Sequence, residues 1–228
     1  MMERFMERRM MEDFKFYEVG GKIRDELLGL KSKDVDYVAV PSEELLTLGV
    51  DAKDMFIILW KYLDAQGFEI FLTAWECYTI RAKFPEGYKY QGVADFVMAR
   101  KEVGYVPGTR TPIVEPGNLY DDLSRRDFTV NAMAKDPDTG EIIDYFNGKT
   151  HLARRLLVTP LDPITTFDDD PLRILRGIRF SITKRLLVSQ DMWQVMKSYD
   201  YFNKMPVVSE ERICLLYTSP SPRDMRRS

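Results

Sequence analysis

Short apolar runs separated by helical stretches organise the first two thirds of the chain. Phe16-Tyr17-Glu18-Val19 reads as a strand, and residues 35 to 40, 68 to 72, 76 to 83 and 92 to 98 read as further strands bounded by turn-forming residues. Ile23, Leu27 and Leu28 recur at helical spacing, and Gly29 stands where that helix would stop. Further helices are predicted over 42 to 48 and 53 to 65. Ala132-Met133-Ala134 and Glu141-Ile142-Ile143 flank Asp136-Pro137-Asp138-Thr139-Gly140, the clearest turn signal in the chain, and so read as hairpin arms. The alternation predicts a mixed α/β domain from about Phe14 to Asp144. The stretch from Gly104 to Asn118, rich in proline and glycine, reads as a long loop acting as a flexible flap. From Phe167 the period turns helical, with Leu172, Leu175, Ile178 and Ile182 along one side, the expected start of an all-α region.

Composition narrows the chemistry. With 228 residues, 45% hydrophobic and 30% charged, the chain has enough apolar material for a real core. Its two cysteines, Cys77 and Cys214, offer neither a disulfide framework nor zinc-site spacing, and a reducing cytoplasm is the expected location. The single histidine, His151, supplies no His-rich metal site and reads as a surface loop residue. Catalysis is therefore expected from carboxylates, arginines and a metal. The Arg- and Glu-rich start, Met1 to Met11, lacks the apolar core of a signal peptide or membrane span. A net charge of −3 argues only weakly against a nucleic-acid partner, because it averages over acidic and basic faces.

Three segments carry candidate chemistry. The first is Gly20-Gly21-Lys22-Ile23-Arg24-Asp25 followed by Asp34-Val35-Asp36. Two glycines after a strand let the backbone approach a ligand without a Cβ in the way, and Arg24, one turn into the helix, can reach a phosphate. The period of a strand puts the Asp34 and Asp36 carboxylates on one face, an arrangement that suits Mg²⁺. The second is Ser124-Arg125-Arg126-Asp127-Phe128-Thr129-Val130-Asn131, where Ser124 and Asp127 have the spacing of a capping box and so predict a helix start. Beside a triphosphate cradle, Arg126 becomes a phosphate clamp and Asn131 a ribose partner; without one, the segment is a salt-bridged surface turn. The third is Asp168-Asp169-Asp170-Pro171-Leu172-Arg173, with Asp170 as N-cap and Pro171 at the first helical position. Arg173, Arg176 and Arg179 repeat every three residues from there. Asp170 and Arg173 together offer an acceptor and a forked donor, a pattern that favours bases bearing an exocyclic amine, cytosine and adenine.

In this order the segments resemble the class II tRNA nucleotidyltransferase and bacterial poly(A) polymerase family, the CCA-adding enzymes of the polymerase β superfamily. The resemblance runs from about Tyr17 to Ile213 through G-G-x-x-R-D…D-x-D, R-R-D-F-T-x-N-A-M-A, the Glu141-Ile142-Ile143-Asp144 and Gly148 segment, D-P-L-R-x-L-R-x-x-R-F, and Glu211-Arg212. It implies an α+β fold: a polymerase β-like nucleotidyltransferase head, with a mixed sheet flanked by helices, over 14–150, then the start of an all-α neck over 151–213. It further implies that Asp34 and Asp36 bind Mg²⁺ and places Asp95 where many members carry a third catalytic acid, the alternative being an ordinary exposed strand residue. Gly20, Gly21, Arg24, Arg126, Asp127 and Asn131 would handle the nucleotide, and Asp170 and Arg173, supported by Arg176 and Arg179, would read its base. The implied substrates are CTP, ATP and the 3′ end of tRNA; A-only, CC-only and poly(A) addition remain alternatives within the same chemistry.

The chain departs from the family pattern at Asp144-Tyr145-Phe146-Asn147-Gly148, where D-P-x-x-G is usual, and at Thr150-His151, where an acid is common. Residues 214–228 read either as translated sequencing-adapter read-through or as a Ser/Pro-rich disordered end. A different class of function, nucleotide binding without transfer, stays open. A Rossmann-type enzyme is disfavoured because the glycine pair lacks G-x-G-x-x-G.

Overall fold

The computed structural model describes residues 13–30, 35–88, 90–105, 112–198, 200, 208, 210, 213 and 214. Two compact units emerge, one of residues 1–126 with 131–149, the other of residues 127–130 with 150–228.

The first unit is built on strands β1 (Phe14–Val19), β2 (Asp36–Pro41), β3 (Glu69–Ala74), β4 (Thr79–Lys83), β5 (Val93–Met98), β8 (Ala134–Lys135) and β9 (Ile142–Ile143), in sheet order β3-β4-β5-β2-β1-β8-β9. Only the β2–β5 pairing is parallel, and it sets Asp36 directly beside Asp95; β1–β2, β4–β5 and the rest run antiparallel. Helix α1 (Gly21–Leu27) follows β1, and α2 (Glu43–Thr47) and α3 (Ala52–Ala65) follow β2, with Ser42 and Asp51 accepting backbone N–H groups at the last two helix starts. Strand alternation then sorts the side chains. Phe14, Tyr37, Ala39, Phe96 and Met98 join Met55, Phe56, Leu59 and Leu63 of α3 in one core layer. Val19, Val38, Ala132 and Ala134 join Leu119 and Leu123 of α4 (Leu119–Ser124) in another. Met55, Phe56, Leu59 and Leu63 are 0% exposed, and each contributes roughly 1.5–3 kcal/mol by leaving water. Asp36 and Asp95 belong to the face opposite Tyr37 and Phe96.

Three expectations about this unit need correction. The proline-rich stretch is not one long loop. Strands β6 (Arg100–Tyr105) and β7 (Pro112–Pro116) pair antiparallel, while residues 106–111, the tip of the expected flap, lie outside the described residues. A two-stranded ribbon has open edges, where a proline forfeits no ladder hydrogen bond. Gly117 makes the return possible, because a Cβ there would stand 2.7 Å from the Arg100 carbonyl carbon. Second, the strand expected over 76 to 83 starts only at Thr79. Trp75–Cys77 form a 3-10 turn and Tyr78 takes φ 52°, which sets Trp75 and Tyr78 edge-on against Phe56. Third, the hairpin arm starts at Ala134, with Ala132 and Met133 buried before the ladder begins. Its turn forms as expected: Asp136 accepts from the Asp138 and Thr139 backbones.

The second unit contains α6 (Pro163–Asp169), α7 (Leu172–Lys184) and α8 (Gln190–Ser198), with a parallel pair β10 (Leu156–Leu157) and β11 (Leu187–Val188); α5 (Gly148–Ala153) leads into it. The helical pattern thus begins at Pro163, ahead of Phe167. The predicted apolar stripe of α7 is corrected as well: Leu172, Ile174 and Gly177 are buried, whereas Ile178 and Ile182 are 40% and 72% exposed. Gly177 explains the shift, since Phe128 and Met192 close on the space its missing side chain leaves. His151 is no loop residue. It lies half-buried in α5, with Nδ1 3.0 Å from the Thr129 hydroxyl oxygen.

Candidate active site

The glycine turn and the carboxylates meet at the ends of β1 and β2. Gly20 has φ 80° and ψ −143°, a backbone state close to one that only glycine occupies without strain. A Cβ at Gly20 would stand 3.6 Å from both Arg126 Nη1 and Asp36 Oδ2, so a guanidinium and a carboxylate converge on the bare glycine. The strand register carries the second acid: Asp95 lies opposite Asp36, and both line a cavity of about 250 Å³ with Arg81. Asp34, the other expected ligand, lies outside the described residues.

Arg126 is aimed from below. Asp122 of α4, 0% exposed, accepts from Arg126 Nη2 at 2.7 Å and Nε at 3.2 Å, and it also pairs with Arg125. Arg126 Nη1 is the guanidinium nitrogen left on the Gly20 side, 3.5 Å from the Asn131 carbonyl oxygen. Full burial alone would raise the Asp122 pKa, but the two guanidiniums outweigh it and hold the carboxyl at about 2. Asp122 therefore stays ionised at any physiological pH. Sequence reasoning passed over it, although its spacing of three and four residues from the arginine pair is the signal of a helix-side ion pair.

The helix expected to start at Ser124 is instead one that ends there. Asn118 and Asp121 form the reciprocal capping box of α4, and the Ser124 hydroxyl donates back to the Asp121 carbonyl. That inversion is what puts Asp122 one turn below the arginines.

Arg24 is 6% exposed, and its guanidinium spans Asp25, through Nε at 2.9 Å and Nη2 at 3.0 Å, and the Asn131 side-chain oxygen at 2.6 Å. It thereby ties the helix after the glycines to the R-R-D-F-T-x-N segment. A Cβ on Gly21 would press on Arg24 Nη2 at 3.1 Å, which accounts for the second glycine.

In the second unit, Asp127 is 8% exposed; one oxygen accepts from the Phe128 backbone and the other from Arg176 Nε at 2.9 Å and Nη2 at 2.6 Å. The expected nucleotide residues Asp127 and Arg176 are thus brought together as a pair. Helix α7 is assigned from Leu172 with Pro171 at its cap position, one residue later than expected, yet Asp170 still accepts from the Leu172 N–H at 3.2 Å. Arg173 donates to the Thr166 carbonyl at 3.2 Å, which joins α7 to α6, and Arg179 lies half-exposed further along.

At its strand ends the mixed sheet brings together a bare glycine turn, an arginine and two neighbouring carboxylates, the groups expected of a nucleotidyltransferase. Residues 16–158 match the family model described as the Poly A polymerase head domain. A Multifunctional CCA protein of Nitrosomonas europaea is 33% identical over 87% of this chain and 42% of its own length. A solved tRNA nucleotidyltransferase complexed with a primer tRNA and an incoming ATP analog is 29% identical, with a TM-score of 0.58 over 85% of this chain and 48% of that one. The Bacillus stearothermophilus CCA-adding enzyme in complex with CTP shares the fold at a TM-score of 0.68 and 23% identity, over 94% of this chain and 47% of that one. The chain belongs to the class II CCA-adding and poly(A) polymerase family of nucleotidyltransferases, and its head has that family's polymerase β-like α+β fold. It spans 33% to 42% of the length of the curated relatives it matches.

Proposed function

We propose that this chain adds CMP and AMP, from CTP and ATP, to the 3′ end of tRNA in the cytoplasm, using Mg²⁺. The observation that carries this reading is the convergence of Arg126 and Asp36 on Gly20, with Asp95 beside Asp36. The residues present fit a divalent cation: Asp36 and Asp95, carboxylates of the kind a hard cation takes, line one cavity, where Arg81 bonds both Asp95 oxygens. The family resemblance makes Asp34 and Asp36 the proposed holders and Asp95 the neighbouring acid; among the described residues no group of three or more His, Cys, Asp or Glu side chains is placed to hold a metal. A cation held there would supply charge neutralisation for phosphoryl transfer.

The chain's own side chains do the positioning. Gly20 admits the triphosphate against the backbone, Arg126 meets its charge from a fixed direction, and Arg24 keeps Asn131 and the glycine turn in register. Asp170 and Arg173 are assigned to base choice, with Arg176, braced by Asp127, and Arg179 in support. Among the described residues no helix is long and apolar enough to cross a membrane.

The test is incorporation of labelled CTP and ATP, with Mg²⁺, into tRNA lacking its 3′ terminus. Incorporation of both supports CCA addition; C alone or A alone identifies a CC-adding or an A-adding relative. Incorporation of neither, with nucleotide still bound, overturns the reading in favour of a nucleotide-binding module.

A further inference from the structure

Three adjacent strands place Arg81, Asp95 and Asp36 in one row, since Arg81 faces Asp95 across β4–β5 and Asp95 faces Asp36 across β5–β2. Arg81 grips Asp95 through two bonds, Nε to Oδ1 at 2.7 Å and Nη2 to Oδ2 at 2.8 Å, so both carboxylate oxygens are engaged. We propose that Arg81 is a positioning residue that holds Asp95 back from the divalent cation, so that the cation must compete with a guanidinium for this neighbouring acid.

The physical case rests on charge and exposure. Neighbouring strands lie about 4.8 Å apart, so Asp36 and Asp95 are like charges at close range, and a fixed cation beside them relieves the repulsion. Arg81 does this from within the same cavity. Its side chain is 54% exposed and that of Asp95 26%, unlike Asp122, which is sealed at 0%. An exposed pair is held weakly enough to exchange, whereas a buried one is not. The two ion pairs therefore divide the work: Asp122 fixes an arginine permanently, and Arg81 lends one carboxylate reversibly. Asp95 would then leave Arg81 only where a divalent cation was held beside it, which would couple completion of the acid set to substrate binding.

The inference rests on the assignment of Asp36 as a cation ligand, and Mn²⁺ binding, followed by the resonance signal of the free ion, tests both separately. In the full chain, R81M is expected to bind Mn²⁺ about 10-fold more tightly than the parent, because a competing positive charge is gone. D95N is expected to erase that gain in the R81M background, and to weaken binding far less in the parent. A solvent-exposed Arg81 makes R81M safe for folding, which circular dichroism checks. Unchanged or weaker Mn²⁺ binding by R81M, or an equal D95N penalty in both backgrounds, would overturn the proposal. Failure of the parent itself to bind Mn²⁺ would instead remove the metal assignment and this inference with it.

Discussion

Replacing Asp122 with asparagine keeps the shape of the side chain and removes the charge beneath Arg125 and Arg126. A buried ion pair broken on one side costs roughly 3–5 kcal/mol, because the remaining charge stays desolvated without its partner. The pH dependence gives an independent measure. The folded-state pKa is depressed from 3.8 to about 2, so the group's contribution is fully present above about pH 4 and is lost as pH falls through about 2. That shift corresponds to about 2 kcal/mol. Urea unfolding of the parent and D122N at pH 7 and at several values between pH 4.5 and 2 reads both effects. The gap between the two proteins is expected to be about 3–5 kcal/mol at pH 7, and to narrow by about 2 kcal/mol as pH falls from 4 to 2. A gap under about 1 kcal/mol at pH 7, or one that does not change with pH, would refute the claim that Asp122 is the ionised anchor of Arg126.

Other substitutions probe neighbouring links. Gly20→Ala places a Cβ at φ 80°, between Arg126 and Asp36; it should destabilise by roughly 1–3 kcal/mol and raise the KM for nucleotide at least several-fold, measured by thermal unfolding and initial rates. Gly117→Ala drives a Cβ to 2.7 Å from the Arg100 carbonyl carbon, and proteolysis should reveal a loosened β6–β7 ribbon. At Gly177, alanine meets Phe128 and Met192 at 3.4 and 3.5 Å and gains up to about 1 kcal/mol of helix propensity, so it should be neutral or stabilising. Leucine at the same position should cost about 1–3 kcal/mol by overpacking.

Much of this was legible in the chain because it is local. The strand, glycine pair and helix at 14–27 depend on period and punctuation over a few residues, as does the Asp136 turn. Cross-strand partners were not legible: nothing near Arg81 in sequence announces that it will stand opposite Asp95, because register is set by pairing between distant segments. The ribbon of β6 and β7 was hidden by its prolines, which break a central strand and are tolerated at an edge. Ser124 fits a helix start by spacing, but a better cap six residues earlier, at Asn118, claims the helix. In α7, a glycine that admits Phe128 and Met192 turned the buried face away from the stripe of larger residues, a packing effect no period reports.

The central claim is that Asp36 belongs to a working nucleotidyl-transfer site. It is met most directly by comparing the parent with Asp36→Ala for incorporation of labelled CTP and ATP into tRNA lacking its 3′ end, with circular dichroism recorded on both. The account predicts incorporation by the parent and none by a normally folded Asp36→Ala protein. Equal incorporation by the two, or none by a parent that still binds nucleotide, would contradict it.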